Sequence, residues 1–387
     1  VKTKTTERIS GLTEYFFSKK LKEIAFLNQK GLDIINLGIG NPDLSPSKEA
    51  IDALVQSALN PLNHGYQGYS SVENLRNAYS SWYRNFFNVD LNPKNEILPL
   101  MGSKEGIFSV CLSFVNAGDH VLIPDPGYPV YKKAVEMVGA IAVPYNLTEE
   151  NFWEPDLDEL EQLITQQEIK LMWVNYPNMP TGARGSVQLF ELLIAFAQKH
   201  NIILVNDNPY SFILNDNPTS IFNADGAMDI ALELNSLSKS HNMAGWRVGM
   251  IAGKSTFIDT IQKVKSNIDS GMFLPVMEAA AVALQSNADW YKQINHIYFE
   301  RKAHVFLLLD KLRCEYSSDQ VGMFIWAKIP AFYKDSFELS DKLLNDARVF
   351  VAPGSIFGKN GDQYIRISLC NPVSRIHEAL NRIYLKF

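Results

Sequence analysis

The chain has 387 residues, 46% hydrophobic and 20% charged, an ordinary globular composition that buries a large core without disulfide or metal staples. Its formal net charge is −6 with both signs interspersed, which excludes a nucleic-acid surface, since that needs a basic stripe to displace phosphate counterions. No apolar run reaches the length of a membrane span and the early charges do not fit a secretory leader, so Cys111, Cys314 and Cys370 are expected as free thiols in a reducing cytoplasm.

Short apolar runs alternate with helical patterns, which predicts an α/β fold: a mostly parallel central sheet flanked by helices. Residues 104–116 read as a helix closed by Ala117-Gly118. A strand follows at 120–123, ending in the turn Pro124-Asp125-Pro126-Gly127, then a helix over 128–138 stopped by Gly139, then a strand at 141–144. The run 171–174 is another buried strand, leading into the turn-rich 175–182. The helix 187–200 places Phe190, Leu193, Ile194 and Ala197 on one face, and 202–205 is again a strand. Apolar segments at 230–234 and 247–252 bracket a loop that carries Lys239. Ligands of open α/β sheets bind beyond the carboxyl ends of the strands. Segments 175–182, 207–210 and 236–239 all sit at such ends, which points to one shared site.

From about Pro275 the texture becomes α+β: a long helical stretch over 276–312, an aromatic strand at 322–329, a helix at 337–347 and a strand at 364–369. The expected organisation is an N-terminal segment, 1–45, packing on a small C-terminal domain, 281–387, with a large ligand-binding domain, 46–280, between them.

Lys239 stands among small hydroxyl residues in Asn235-Ser236-Leu237-Ser238-Lys239-Ser240. Such a lysine is ordinarily a solvated loop charge. At a strand end, partly desolvated and with Arg247 eight residues on, it can instead lose its proton and form a Schiff base. Asp207 follows an apolar strand directly. It either caps the next turn or faces a protonated ring nitrogen, with Tyr210 near another polar edge of that ring. Gly102-Ser103-Lys104-Glu105-Gly106 opens a helix, either as plain N-capping or as a seat for a phosphate monoester. It lacks the Gly-Lys-Ser/Thr ending of a nucleotide loop, and Gly38-Ile39-Gly40 lacks the third glycine of a dinucleotide fingerprint. Tyr128 after a Pro-Gly turn is core or a stacking aromatic. Arg366 in an alternating strand is edge-facing or a bidentate carboxylate clamp.

These stretches resemble the class I/II aminotransferases of the fold-type-I pyridoxal-phosphate enzymes. The resemblance runs from Asn36-Leu37-Gly38-Ile39-Gly40-Asn41-Pro42-Asp43 to the Arg366 strand and is most specific over 235–250, which includes Ala244-Gly245-Trp246-Arg247-Val248-Gly249. The Gly102–Gly106 form and Pro124-Asp125-Pro126-Gly127-Tyr128-Pro129 are similar to the diaminopimelate and broad-specificity branches. The resemblance implies pyridoxal 5'-phosphate as cofactor, held as an imine on Lys239, which also moves the proton at the α-carbon. It implies that Asp207 pairs with the pyridine nitrogen, Tyr210 bonds the phenolic oxygen and Tyr128 stacks on the ring. Ser103, Lys104, Ser236 and Arg247 would hold the phosphate, and Gly40 and Arg366 would receive the substrate carboxylate. Tyr66 matches a phosphate-contacting tyrosine from a partner subunit, which implies a homodimer. The implied reaction is a ping-pong amino transfer from an amino acid to a 2-oxo acid. A carbon–sulfur β-lyase on the same scaffold and a non-catalytic cofactor-binding regulator are the alternatives, and no metal site is expected.

Two positions depart from the family's pattern. The second of two consecutive asparagines before Pro-Thr-Gly, after Asn178, is here Met179, which cannot donate a hydrogen bond to the phenolic oxygen. Ser71 replaces a glycine usual five residues after the tyrosine. Nothing matches a second, distal-carboxylate arginine, although Arg301 and Arg184 are available. For the side-chain pocket, Tyr15, Phe16 and Phe17 are candidates, and the glycine-flanked loop Ser270-Gly271-Met272-Phe273 is the stronger one.

Overall fold

The computed structural model describes residue 6 and residues 14–69 and 72–387, so Ser71 lies outside the described residues. A short strand β1 (Ile35–Asn36) precedes the strands of the main sheet: β2 (Ile97–Leu100), β3 (His120–Asp125), β4 (Ile141–Asn146), β5 (Ile169–Val174), β6 (Ile203–Asp207), β7 (Ala231–Ser236) and β8 (Gly249–Gly253). These seven run in the order β2-β8-β7-β6-β5-β3-β4, all parallel except β8, which is antiparallel to both neighbours. Both faces are covered, as the apolar runs require. Period-2 alternation sends Val121, Leu171, Trp173, Val205, Leu232 and Leu234 to one face. Leu122, Met172, Val174, Leu204 and Ala231 go to the other. Each large apolar side chain buried this way contributes about 1.5–3 kcal/mol.

From β3 the chain steps outward to β4 and then back across to β5, so strand order reverses between β3 and β5. A crevice opens at such a reversal, beyond the carboxyl ends of the strands. A second sheet contains β9 (Phe324–Lys328), β11 (Ala352–Pro353) and β12 (Tyr364–Ser368) in the antiparallel order β11-β12-β9. β10 (Val349–Phe350) pairs in parallel with β1, bringing Ile35 opposite Val349.

Helix Val187–His200 falls where its pattern predicts it, capped by Ser186 and ended by left-handed Asn201. Three stretches differ from expectation. The helical run 276–312 is two helices, Leu274–Ala283 and Ala288–Lys311. Asn287 breaks it by accepting from the backbone N–H groups of Asp289 and Trp290. β3 continues through Pro124 and Asp125, because both keep register with Tyr145 and Asn146 of β4. The stretch 337–347 is helical from Ser336 to Lys342 and then widens into one π turn, Leu343–Ala347. No helix among the described residues is long and apolar enough to cross a membrane, and no acidic, histidine or cysteine cluster among them could hold a metal.

Candidate active site

The carboxyl ends of β6 and β7, the start of helix Ser103–Phe114 and the face of β12 converge on one cavity of about 790 Å³. Its lining includes Gly40, Ser103, Lys104, Tyr128, Met179, Asp207, Tyr210, Ser236, Lys239, Arg247 and Arg366. Residues up to 351 positions apart in sequence, Tyr15 and Arg366, thus meet at one place.

Asp207 ends β6 and is 4% exposed. Tyr131 donates its hydroxyl to Oδ2 at 2.9 Å, while Oδ1 is buried with no hydrogen-bond partner among the described residues. Burial pushes this carboxyl up to about 7, opposed by the Tyr131 bond and reinforced by Glu233 on β7. A buried carboxylate with one free oxygen beside a cavity is matched by a cationic N–H donor, and a protonated pyridine nitrogen is one.

Lys239 lies one turn beyond β7, in the short helix Leu237–Ser240 that Ser236 caps. Its Nζ donates to the Gly40 carbonyl at 2.6 Å. Burial holds the ammonium down to about 8, with Cys370 opposing and Arg366 and Arg247 adding to the effect. A sizeable neutral fraction near neutral pH makes it a usable nucleophile and base.

At the opposite end, Gly102 precedes helix Ser103–Phe114 with φ +83, and a Cβ there would lie 2.3 Å from Arg247 Nη2. Glycine therefore lets the guanidinium approach the helix start. Ser103 and Lys104 line the cavity, and no side chain caps the start of their helix. Arg247 Nη1 donates to Ala244 O at 2.8 Å and to Ser238 Oγ at 3.4 Å. Ser236 Oγ donates to Ser238 Oγ at 2.9 Å. Burial and Arg247 lower Lys104. Two cations, hydroxyls and a helix N-terminus form a donor set suited to a phosphate dianion.

Arg366 is 4% exposed on β12. Nη2 donates to the Gly38 carbonyl at 2.8 Å and Nη1 to the Met179 thioether at 3.0 Å, while Nε is buried without a partner. Its guanidinium lies 3.9 Å from the Phe324 ring centroid and 4.6 Å from that of Phe357. Burial pulls it down to about 10, so it stays cationic at neutral pH. A stacked fork with a soft acceptor and a spare N–H is ready for a carboxylate.

Other sequence-derived candidates fall elsewhere. Tyr66 is 93% exposed and outside the cavity. Asn178 is buried but turned into its own loop, its Oδ1 accepting from Thr181 N at 3.2 Å and Thr181 Oγ at 2.8 Å. It is a turn residue, because the chain curls back on itself before Gly182. The Gly271-Met272 loop lines a separate crevice beside Tyr69 and Val72, and Phe273 is half exposed at 47%. Tyr15 and Phe17 do line the cavity; Phe16 does not. Arg301 is committed to Asp43 through bonds of 2.6 and 2.8 Å, and Arg184 to Asn215.

Tyr131, Asn175, Phe324 and Phe357 also belong to the site and carry little signal in the sequence. Tyr131 sits one helical turn after Tyr128, a spacing that puts both on one side of helix Pro129–Met137. Asn175 donates to the Asp207 carbonyl and accepts from Met179 N at 2.9 Å, fastening the two strand ends together. Phe324 and Phe357 had no local mark.

The family model for aminotransferase class I and II matches residues 32–383. The chain is 38% identical over 380 residues to the LL-diaminopimelate aminotransferase of Aquifex aeolicus, covering 98% of each. It is 40% identical over 383 residues to the enzyme of that name from Nitratidesulfovibrio vulgaris, again covering 98% of each. The substrate-bound BacF structure from Bacillus subtilis superposes with a TM-score of 0.94 at 32% identity, covering 98% of this chain and 97% of that one.

Proposed function

This chain belongs to the class I and II aminotransferases, and on that premise we propose that it binds pyridoxal 5'-phosphate and transfers the α-amino group of LL-diaminopimelate to a 2-oxo acid. The observation that carries the cofactor reading is that Lys239 shares one cavity with Asp207, whose Oδ1 has no partner, and with Arg366, whose Nε has none. The donor rests on the names of relatives 38–40% identical over nearly the whole chain.

When bound, the cofactor supplies an electrophilic carbon and an electron-withdrawing ring. Asp207 keeps the ring nitrogen protonated, which maintains that withdrawal. Ser103, Lys104, Ser236 and Arg247 hold the phosphate by hydrogen bonds and charge. Tyr128 and Tyr210, which line the same cavity, would hold the ring, Tyr128 by its aromatic face and Tyr210 by its hydroxyl. Arg366 and the backbone at Gly38–Gly40 seat the α-carboxylate, which orients the bond to be broken at the α-carbon. Lys239, once its Nζ is neutral, would take the α-proton of the seated amino acid and hold it at Nζ. The aromatic wall of Tyr15, Phe17, Phe324 and Phe357 excludes water from that step. The exposure of Tyr66 is consistent with a homodimer in which it reaches the partner's phosphate. Residues 46–280 would then carry the cofactor, with 1–45 and 281–387 completing the carboxylate end.

The test supplies purified holoenzyme with LL-diaminopimelate, aspartate and phenylalanine in turn, with 2-oxoglutarate as acceptor. Transfer from LL-diaminopimelate at an efficiency at least tenfold above the other donors is expected; a preference for phenylalanine would remove the donor assignment. Loss of transfer in Lys239→Ala is the companion result.

A further inference from the structure

Lys265 closes helix Ser255–Lys265 with its side chain 2% exposed, and it takes no part in lining the main cavity. Its Nζ donates to Glu105 Oε1 at 2.7 Å and to Asp269 Oδ2 at 2.5 Å. Those carboxylates are themselves 12% and 11% exposed. Without the ammonium, two like charges would face each other in a poorly solvated place, and one would have to move or take a proton.

The two acids belong to different parts of the fold. Glu105 lies in the first turn of helix Ser103–Phe114, the start that presents Ser103 and Lys104 to the cavity, and its Oε2 accepts from Met101 N at 2.5 Å. Asp269 Oδ1 accepts from the Tyr69 hydroxyl at 2.7 Å and from Gly271 N at 2.9 Å. Gly271 has φ +94, and a Cβ there would lie 2.0 Å from the Gln67 carbonyl oxygen, so this loop and the 66–69 segment interlock through a contact that only glycine permits. Arg76 adds a bond of 2.7 Å to the Tyr69 carbonyl. One buried ammonium therefore joins the phosphate end of the cavity to the segment that carries exposed Tyr66.

We propose that Lys265 is a positioning residue that couples phosphate binding at Ser103 and Arg247 to the pose of residues 66–69, and through Tyr66 to the second subunit. This rests on the cofactor and homodimer readings above. Glu105, left without its counter-charge in the first helical turn, repels an incoming phosphate dianion. Lys265 cancels that repulsion, and its bond to Asp269 ties the same event to the Tyr66 segment. Linkage is reciprocal: cofactor tightens subunit association by the factor by which association tightens cofactor binding.

The experiment compares wild type with Lys265→Met, using equilibrium dialysis for pyridoxal 5'-phosphate and for phosphate-free pyridoxal. Sedimentation equilibrium gives the dimer dissociation constant with and without pyridoxal 5'-phosphate. Expected are a loss of about tenfold or more for the phosphorylated ligand, a change under about twofold for pyridoxal, and disappearance of the cofactor's effect on dimer dissociation. Glu105→Gln combined with Lys265→Met removes the repelling charge and is expected to regain most of the phosphate-dependent affinity. Equal losses for both ligands, or an unchanged affinity for the phosphorylated one, would overturn the proposal alone. Wild type that binds neither ligand would overturn the cofactor reading and the proposal with it. If Lys265→Met does not fold, Tyr69→Phe removes a single hydroxyl from the Asp269 side. It should weaken the cofactor's effect on dimer dissociation by about threefold, and an unchanged effect counts against the coupling.

Discussion

Replacing Asp207 by asparagine should make the cofactor-free protein more stable while weakening its hold on the cofactor. The side chain keeps its size, Tyr131 keeps a partner, and the buried charge disappears. In the folded protein the carboxyl titrates at about 7 rather than its ordinary 3.8, because burial outweighs the Tyr131 bond. A raised carboxyl binds its proton more tightly folded than unfolded. Stability is therefore fully present below about pH 4 and is lost as pH rises toward 7. The gap between 3.8 and about 7 corresponds to about 4 kcal/mol carried by the ionised form above pH 7, an upper figure because the site can relax. Urea unfolding of cofactor-free wild type and Asp207→Asn between pH 5 and pH 7.5 measures it. Lys239, held down to about 8, titrates partly at the upper end of that range, but it does so in both proteins and cancels in the difference. The variant should gain over wild type by about 1–4 kcal/mol at the upper end, with the advantage shrinking toward pH 5. With pyridoxal 5'-phosphate present the order reverses, since the ring nitrogen loses its counter-charge. A pH-independent difference, or a wild type more stable at pH 7.5 without cofactor, would refute the reasoning.

In Met179→Asn, the amide oxygen can accept from Arg366 as the thioether does and leave its N–H₂ facing the cavity. The added donor favours an ionised phenolic oxygen, so the pH-dependent absorbance of bound cofactor should shift downward by about half to one pH unit; no downward shift would remove that role for Met179. Arg366→Lys replaces a stacked fork by a point charge and should raise KM for the amino donor about 100-fold, with cofactor absorbance unchanged. Parallel loss of cofactor in dialysis would contradict a purely substrate-side role. Gly102→Ala forces a Cβ against Arg247 at a left-handed φ, and cofactor affinity should fall about tenfold with the circular dichroism spectrum retained.

Legibility in the sequence followed the range of the interactions. Helix Val187–His200 was readable to the residue because Ser186 and Asn201 act on their nearest neighbours. The stretch 276–312 reads as one long helical stretch and folds as two helices, because the only local signs of the break are the polar Gln285-Ser286 pair and the cap at Asn287. Lys239, Asp207 and Ser236 were visible because each follows an apolar strand directly, and strand ends are where α/β sheets open their crevices. Asn178 and Met179 are adjacent in sequence, yet one closes a turn and the other faces the cavity, a distinction of direction that neighbouring residues share no pattern for.

The order of apolar runs, caps and turns determines by itself that this is a largely parallel α/β chain with its chemistry at three strand ends, because burial and backbone hydrogen bonding along each element depend on local spacing. Only the tertiary structure decides that Tyr131 holds one oxygen of Asp207 and leaves the other free, that Phe324 and Phe357 flank Arg366, and that Lys265 bridges Glu105 and Asp269. Those arrangements depend on distances between residues up to 164 positions apart, and the burial that shifts a charge is a property of the whole fold around it.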